Sequence, residues 1–106
     1  MASHTAVFAQ QFAASVGAQD DITLTRPARV VRVTNRGPTD PVFVRLGRNV
    51  VDIPNIAAVT DDDCFAVPAG TFREFGWPGS PVCLKVFAAS AVLLSVDATD
   101  VPIPGI

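Results

Sequence analysis

The stretch Val30 to Gly47, VVRVTNRGPTDPVFVRLG, most constrains the fold, because two apolar-alternating runs flank a cluster of turn residues. In the second run Val42, Val44 and Leu46 recur at a spacing of two and interleave with Phe43 and Arg45. One face of a strand is then apolar and the other carries an aromatic ring and a charge. In the first run Val31 and Val33 share a face with Arg29, opposite Val30, Arg32 and Thr34, and such β-branched residues favour strands. Between the runs, Asn35-Arg36-Gly37-Pro38 and Asp40-Pro41 supply fixed φ values, tolerance of positive φ and side chains that cap turns. The expectation is a β-hairpin.

The same alternation recurs downstream. Val82, Leu84 and Val86 alternate with Cys83, Lys85 and Phe87, and Val92, Leu94 and Val96 lie opposite Ser95 and Asp97, which predicts a second hairpin. Ile22 to Thr25 reads as a short strand limited by Pro27, since proline donates nothing to a ladder. Asn49 to Thr60 reads as a long connection between sheets with one short strand at Asn49 to Ile53. Cys64 to Val67 is a strand ending in the turn Pro68-Ala69-Gly70. Thr71 to Trp77 places Phe72 and Phe75 on opposite faces, which either a bulge near Gly76 or burial on both sides reconciles. Trp77-Pro78-Gly79-Ser80 has the residues of a type II turn, and the tail VPIPGI suits only an extended edge. About seven short strands with frequent turn signals predict a single antiparallel β-sandwich, with a small β-barrel as the alternative.

The opening 21 residues read as an N-terminal arm or edge strand, and 22–106 as the sandwich domain. Phe8, Phe12 and Val16 recur at four, as on a helix, but Thr5, Val7, Phe8 and Phe12 suit a strand, which Gly17 and Asp20-Asp21 end with a turn; the strand is the favoured of the two. Two phenylalanines on such an arm dock either on the chain's own core or on a neighbouring subunit. The start has neither a basic segment nor an unbroken apolar core, so no signal peptide is expected, and no run approaches the length of a membrane span.

At 106 residues one domain is expected, and its 17% charged residues fall below the usual quarter, as for a surface partly covered by a partner or for a small, tightly packed monomer. The net charge of −2 conceals an asymmetry. Residues 26–48 hold six arginines (Arg26, Arg29, Arg32, Arg36, Arg45 and Arg48) against Asp40, a local +5, while the rest carries −7. Seven arginines against one lysine suit a protein interface, where the planar guanidinium fork is enriched. With no recognition motif and an acidic pI, direct nucleic-acid binding is not expected.

Catalysis finds no support. His4 is the only histidine and has no motif partner, Glu74 is the only glutamate, and the glycines are too isolated to cradle phosphate. Cys64 and Cys83 lack metal-ligand spacing and read as two thiols, a disulfide being the alternative. Asp61-Asp62-Asp63 lacks the alternate ligand spacing and the glycine of a calcium loop, so it reads as a solvated loop or helix-start cap. No catalytic residue, metal or cofactor is expected. Trp77 either covers the end of the core or serves as a contact for an interface or a sugar ring.

From Ile22 onward the order of features resembles small β-sandwich virion structural proteins of tailed bacteriophages, of the head decoration or cement type. Arg32 to Asn35 with Gly37, Val42 to Gly47, Asp61 to Asp63, and Val67 to Gly70 with Phe72 and Phe75 carry the resemblance. It implies a non-enzymatic protein on the capsid surface, made in the host bacterial cytoplasm. Its partners would be the major capsid protein and its own copies, as a homotrimer or another homo-oligomer, with neither nucleic acid nor membrane involved. An interface of roughly 800 Å² per partner would suit the low charge. Phe8, Phe12, Phe43, Arg45, Arg48 and Trp77 are the candidate contacts, and removal of residues 1–16 is expected to abolish binding and leave the domain folded. A tail, neck or fibre component is one alternative, and a carbohydrate-binding module for host attachment, using Trp77 with Phe43 or Phe72, is another.

Overall fold

The computed structural model describes residues 2–14, 19–37, 39–53, 56, 64–90 and 92–99. Within them the chain is all-β: β1 (Ala2–Ala6), β2 (Ala9–Ala14), β3 (Gln19–Asn35), β4 (Val42–Gly47), a 3₁₀ turn (Val50–Asp52), β5 (Phe65–Val67), β6 (Phe72–Ala88) and β7 (Val92–Thr99). The turn expected at Gly17, the Asp61–Asp63 run and the VPIPGI tail lie outside the described residues.

Two long strands, β3 and β6, carry the architecture. They pair antiparallel along most of their length, but the register breaks in the middle. Leu24 pairs with Val82 and Ala28 with Ser80, so β3 holds the extra residues there; Val30 then pairs with Gly76, and the extra residues belong to β6. Such opposed bulges bend both strands sharply. Pro27 and Pro78 sit in them, where no ladder donor is needed, and Gly79 takes a φ of +81° that few side chains tolerate. The bulge expected near Gly76 is therefore present. The Trp77-Pro78-Gly79-Ser80 sequence turns the chain within one continuous strand instead of separating two, and the segment around Ile22 belongs likewise to the long β3.

The bend folds one sheet into two facing halves. Sheet I runs β2-β7-β3-β6 through residues 28–35 of β3 and 72–80 of β6. Sheet II runs β1-β3-β6-β4-β5 through residues 19–24 and 82–88, its only parallel pair being β1 with β3. This is an antiparallel β-sandwich. Its core joins Ile22, Leu24, Leu84 and Val86 of sheet II to Val31, Val33, Leu94 and Val96 of sheet I, all almost wholly buried. The bulges let β3 keep facing that core although its buried positions change parity, from Ile22 and Leu24 to Val31 and Val33.

Neither expected hairpin forms. β4 pairs with β5 and β6, whereas the second half of β3 pairs with β6 and β7, so β3 ends in one sheet and β4 begins in the other. Likewise β7 pairs with β2 and β3, and the chain crosses again after β6. The alternation placed each strand's apolar face correctly. The pairing went elsewhere because both edges of β3 are already occupied there.

The connection after β4 also departs from expectation. Residues 50–52 form a 3₁₀ turn, with Asp52 N–H donating to Asn49 O and Ile53 N–H to Val50 O, instead of a strand. β6 pairs with all of β4 on one side, and β5 pairs with its first three residues on the other. Ile53 then lies against Gly47, where an added Cβ would approach its side chain to 2.6 Å, and Ile56 N–H donates to Gln19 Oε1 at 2.7 Å. These contacts fall on the outward face of sheet II, where Arg45, Lys85 and Cys83 are correspondingly buried.

Residues 2–14 join both sheets. β1 extends sheet II, β2 edges sheet I, and the Val7-Phe8 link between them accepts backbone hydrogen bonds from Arg26 and Ala98. His4 stacks on Phe12 across the sandwich, ring centroids 4.3 Å apart.

Candidate functional site

The open surface of the sandwich is the outward face of sheet I. Register aligns two rows of side chains across its four strands: Gln11, Ser95, Thr34 and Phe72 in one, Ala9, Asp97, Arg32 and Glu74 in the next. These positions face outward because they alternate with core residues Phe12, Leu94, Val96, Val31 and Val33. Just past the end of β3, Arg36 reaches over the same face, its Nε donating to Ser95 Oγ at 2.8 Å.

A shallow pocket of about 260 Å³ opens here, lined by Ala9, Gln10, Gln11, Arg36, Ser95 and Asp97. Its polar groups are held but not spent. Arg36 is fixed through Nε, which leaves the two terminal nitrogens of its fork to face a ligand. Among the described residues, the Asp97 carboxylate and the Gln11 side-chain amide make no hydrogen bond or ion pair. Beside the pocket the charges are committed: Arg32 Nη2 donates to Glu74 Oε2 at 3.2 Å, and its guanidinium carbon lies 4.8 Å from the Phe72 ring centroid. Phe72 itself is 52% exposed at the far edge of the face.

A second aromatic group closes the open side of the sandwich. Phe65 of β5 and Phe75 of β6 meet at a centroid distance of 5.0 Å, and Arg73 lies over both at 5.1 and 5.6 Å. Phe75 packs against the core, so this group seals a seam between two sheet edges.

The six side chains singled out from sequence are not brought together. Phe8 is exposed on the β1–β2 link, with the Arg26 guanidinium 5.9 Å from its centroid, whereas Phe12 is buried in the chain's own core. Phe43 and Arg45 do point away from Val42 and Val44, onto the outward face of sheet II, but Arg45 is 8% exposed and engaged within the fold. Arg48 is exposed just past β4, and Trp77 packs at the corner against the core, its Nε1 donating to Pro81 O at 3.4 Å. The six arginines of residues 26–48 are dispersed over both sheets and the corner. Cys64 and Cys83 are not joined in a disulfide. Gln11, Arg36, Ser95 and Asp97 were not distinguished by sequence. Alternation put Ser95 and Asp97 outward, but only the strand order β2-β7-β3 sets them beside Gln11 and Arg36.

Neither a family model nor a curated protein matches the sequence. Among solved structures, the fold is similar to CBM_E1, a carbohydrate-binding module found by sugar cane soil metagenome and solved with cellopentaose and gadolinium ion. That likeness has a TM-score of 0.61 at 11% identity and covers 91% of this chain and 90% of that one. A de novo designed double-stranded β-helix is also similar, with a TM-score of 0.54 at 10% identity over 86% of this chain and 97% of that one. At such identities what is shared is the β-sandwich fold.

Proposed function

We propose that the chain is a non-catalytic carbohydrate-binding module whose site is the outward face of sheet I. The observation that carries this reading is the pocket where an uncommitted carboxylate (Asp97), an uncommitted amide (Gln11) and a fixed guanidinium fork (Arg36) converge. Sugar hydroxyls both donate and accept, so a surface offering acceptor-only and donor-only groups side by side suits them. At about 260 Å³ the pocket falls just below the roughly 300–1,000 Å³ of drug-sized sites, a scale suited to a ring or two and not to a buried cofactor. The fold shared with a carbohydrate-binding module supports the reading. Titration calorimetry against a panel of oligosaccharides tests it. A binder whose affinity falls at least tenfold in Asp97→Ala, with the melting temperature unchanged, is the expected result. Binding indifferent to Asp97 and Arg36 would place the site elsewhere.

A second reading, the virion surface protein implied by the sequence resemblance, is favoured by one feature: Val7 and Phe8 stand 61% and 51% exposed side by side on the β1–β2 link. In that reading the pair docks on a capsid subunit. Mass spectrometry of purified particles decides it, hundreds of copies indicating decoration and absence from the particle ruling it out.

A further inference from the structure

Resting on the carbohydrate reading, we infer that the glycan this face takes is uncharged, spans at least three sugar rings, and runs across the strands from the Asp97–Arg36 pocket to Phe72.

The charge selectivity follows from which groups remain open. Arg32 and Glu74 neutralise each other at 3.2 Å, which leaves one cation and one anion at the pocket. Asp97 and Arg36 flank Ser95 on one face, and Ser95 holds only the Nε of Arg36. A uronic acid drawn to the Arg36 fork brings its carboxylate beside Asp97, which makes no ion pair among the described residues. An amino sugar drawn to Asp97 meets Arg36. Like charges held together at a site repel, and that repulsion selects against both. Neutral hydroxyls satisfy both groups at once, donating to Asp97 and accepting from Arg36 and the Gln11 amide.

The length follows from the strand order. Gln11, Ser95, Thr34 and Phe72 stand in register on four adjacent strands, so two strand spacings, about 10 Å, separate Ser95 in the pocket from the exposed ring, and the whole row from Gln11 spans about 14 Å. Thr34 between them offers a hydroxyl and no bulk that would block a chain lying flat. Phe72 supplies an apolar plane at the far end, with Arg32 holding the ring in place.

Calorimetry with matched neutral, acidic and amino-sugar oligosaccharides of one to five rings, on the whole chain, tests both parts. Asp97 and Phe72 are exposed, so Asp97→Asn and Phe72→Ala are expected to keep the wild-type melting curve. The expected result is a neutral ligand whose affinity rises from one ring to three, with its charged counterparts on the order of tenfold weaker. Asp97→Asn should narrow the gap to the acidic series, and Phe72→Ala should weaken the three-ring ligand about fivefold while leaving the single ring unchanged. A charged glycan that binds as tightly as the neutral one, or affinity that does not grow with length, overturns this inference and leaves the carbohydrate reading standing. A panel with no binder of any charge overturns both.

Discussion

Asn35 shows how much one residue can organise in this fold. It is fully buried, and its amide nitrogen donates to Asp40 O at 2.8 Å and Val67 O at 2.9 Å, while its side-chain oxygen accepts from Gly37 N–H at 2.8 Å. Its own backbone accepts from Gly70 N–H and donates to Thr71 O. The side chain thus ties the end of β3 to the crossing segment and to β5, and the backbone ties it to the turn before β6. Removing it leaves three buried groups without partners, each worth about 1–3 kcal/mol. Asn35→Ala is therefore expected to cost about 3 kcal/mol or more, a melting temperature lower by roughly 15 °C in calorimetry. Asn35→Asp should do at least as much harm despite its identical shape, because a carboxylate would face two carbonyl oxygens. From sequence Asn35 read only as a turn residue. That its side chain serves distant segments depends on Val67, 32 positions away.

At the scale of elements, the corner in β3 and β6 is where the sandwich is made. Gly79 lies at φ +81°, and no atom comes within 4 Å of the place a Cβ would take, so a side chain there meets no clash and only the backbone strain is felt. Gly79→Ala is expected to destabilise by about 1–2 kcal/mol, read from urea denaturation as a lower midpoint with an unchanged slope. The N-terminal strands make the opposite case, in which an element read as an arm is part of the body. Phe12 and Ala14 belong to the core, and β2 covers the edge of β7. Loss of a buried phenylalanine alone costs about 3–5 kcal/mol. Deleting residues 1–14 is accordingly expected to remove the cooperative melting transition, in contrast to the folded remainder expected from sequence. A sharp transition in the truncated chain would show the remaining sheets to be self-sufficient.

For the whole molecule, the pairings that matter join segments far apart in the chain: β3 with β6, β2 with β7, β3 with β7. Sheets dominated by such contacts fold slowly, because loop closure is unfavourable until the distant strands have met. Refolding on the millisecond-to-second scale is expected, and stopped-flow fluorescence can follow it through Trp77, the single tryptophan, which packs at the corner against the core. Microsecond folding would mean that local pairs, such as the two hairpins expected from sequence, form the nucleus after all.

Much was legible without coordinates. Alternation in residues 30–34, 42–46, 82–86 and 92–96 determined the all-β class and the buried face of each strand, since a period of two leaves a side chain only two directions. The turn at Gly70 and the positive φ of Gly79 followed from turn chemistry, which is equally local. What alternation does not encode is the neighbour. In Val30 to Gly47 it set Val31, Val33, Val42 and Val44 correctly toward the core, but the two strands lie in different sheets. Strand pairing is decided by which edges remain free once the core closes, and the edges of β3 go to β1, β6 and β7. The same decision creates the candidate site. Gln11, Arg36, Ser95 and Asp97 come from three separate segments, and only the tertiary order β2-β7-β3 gathers them on one face.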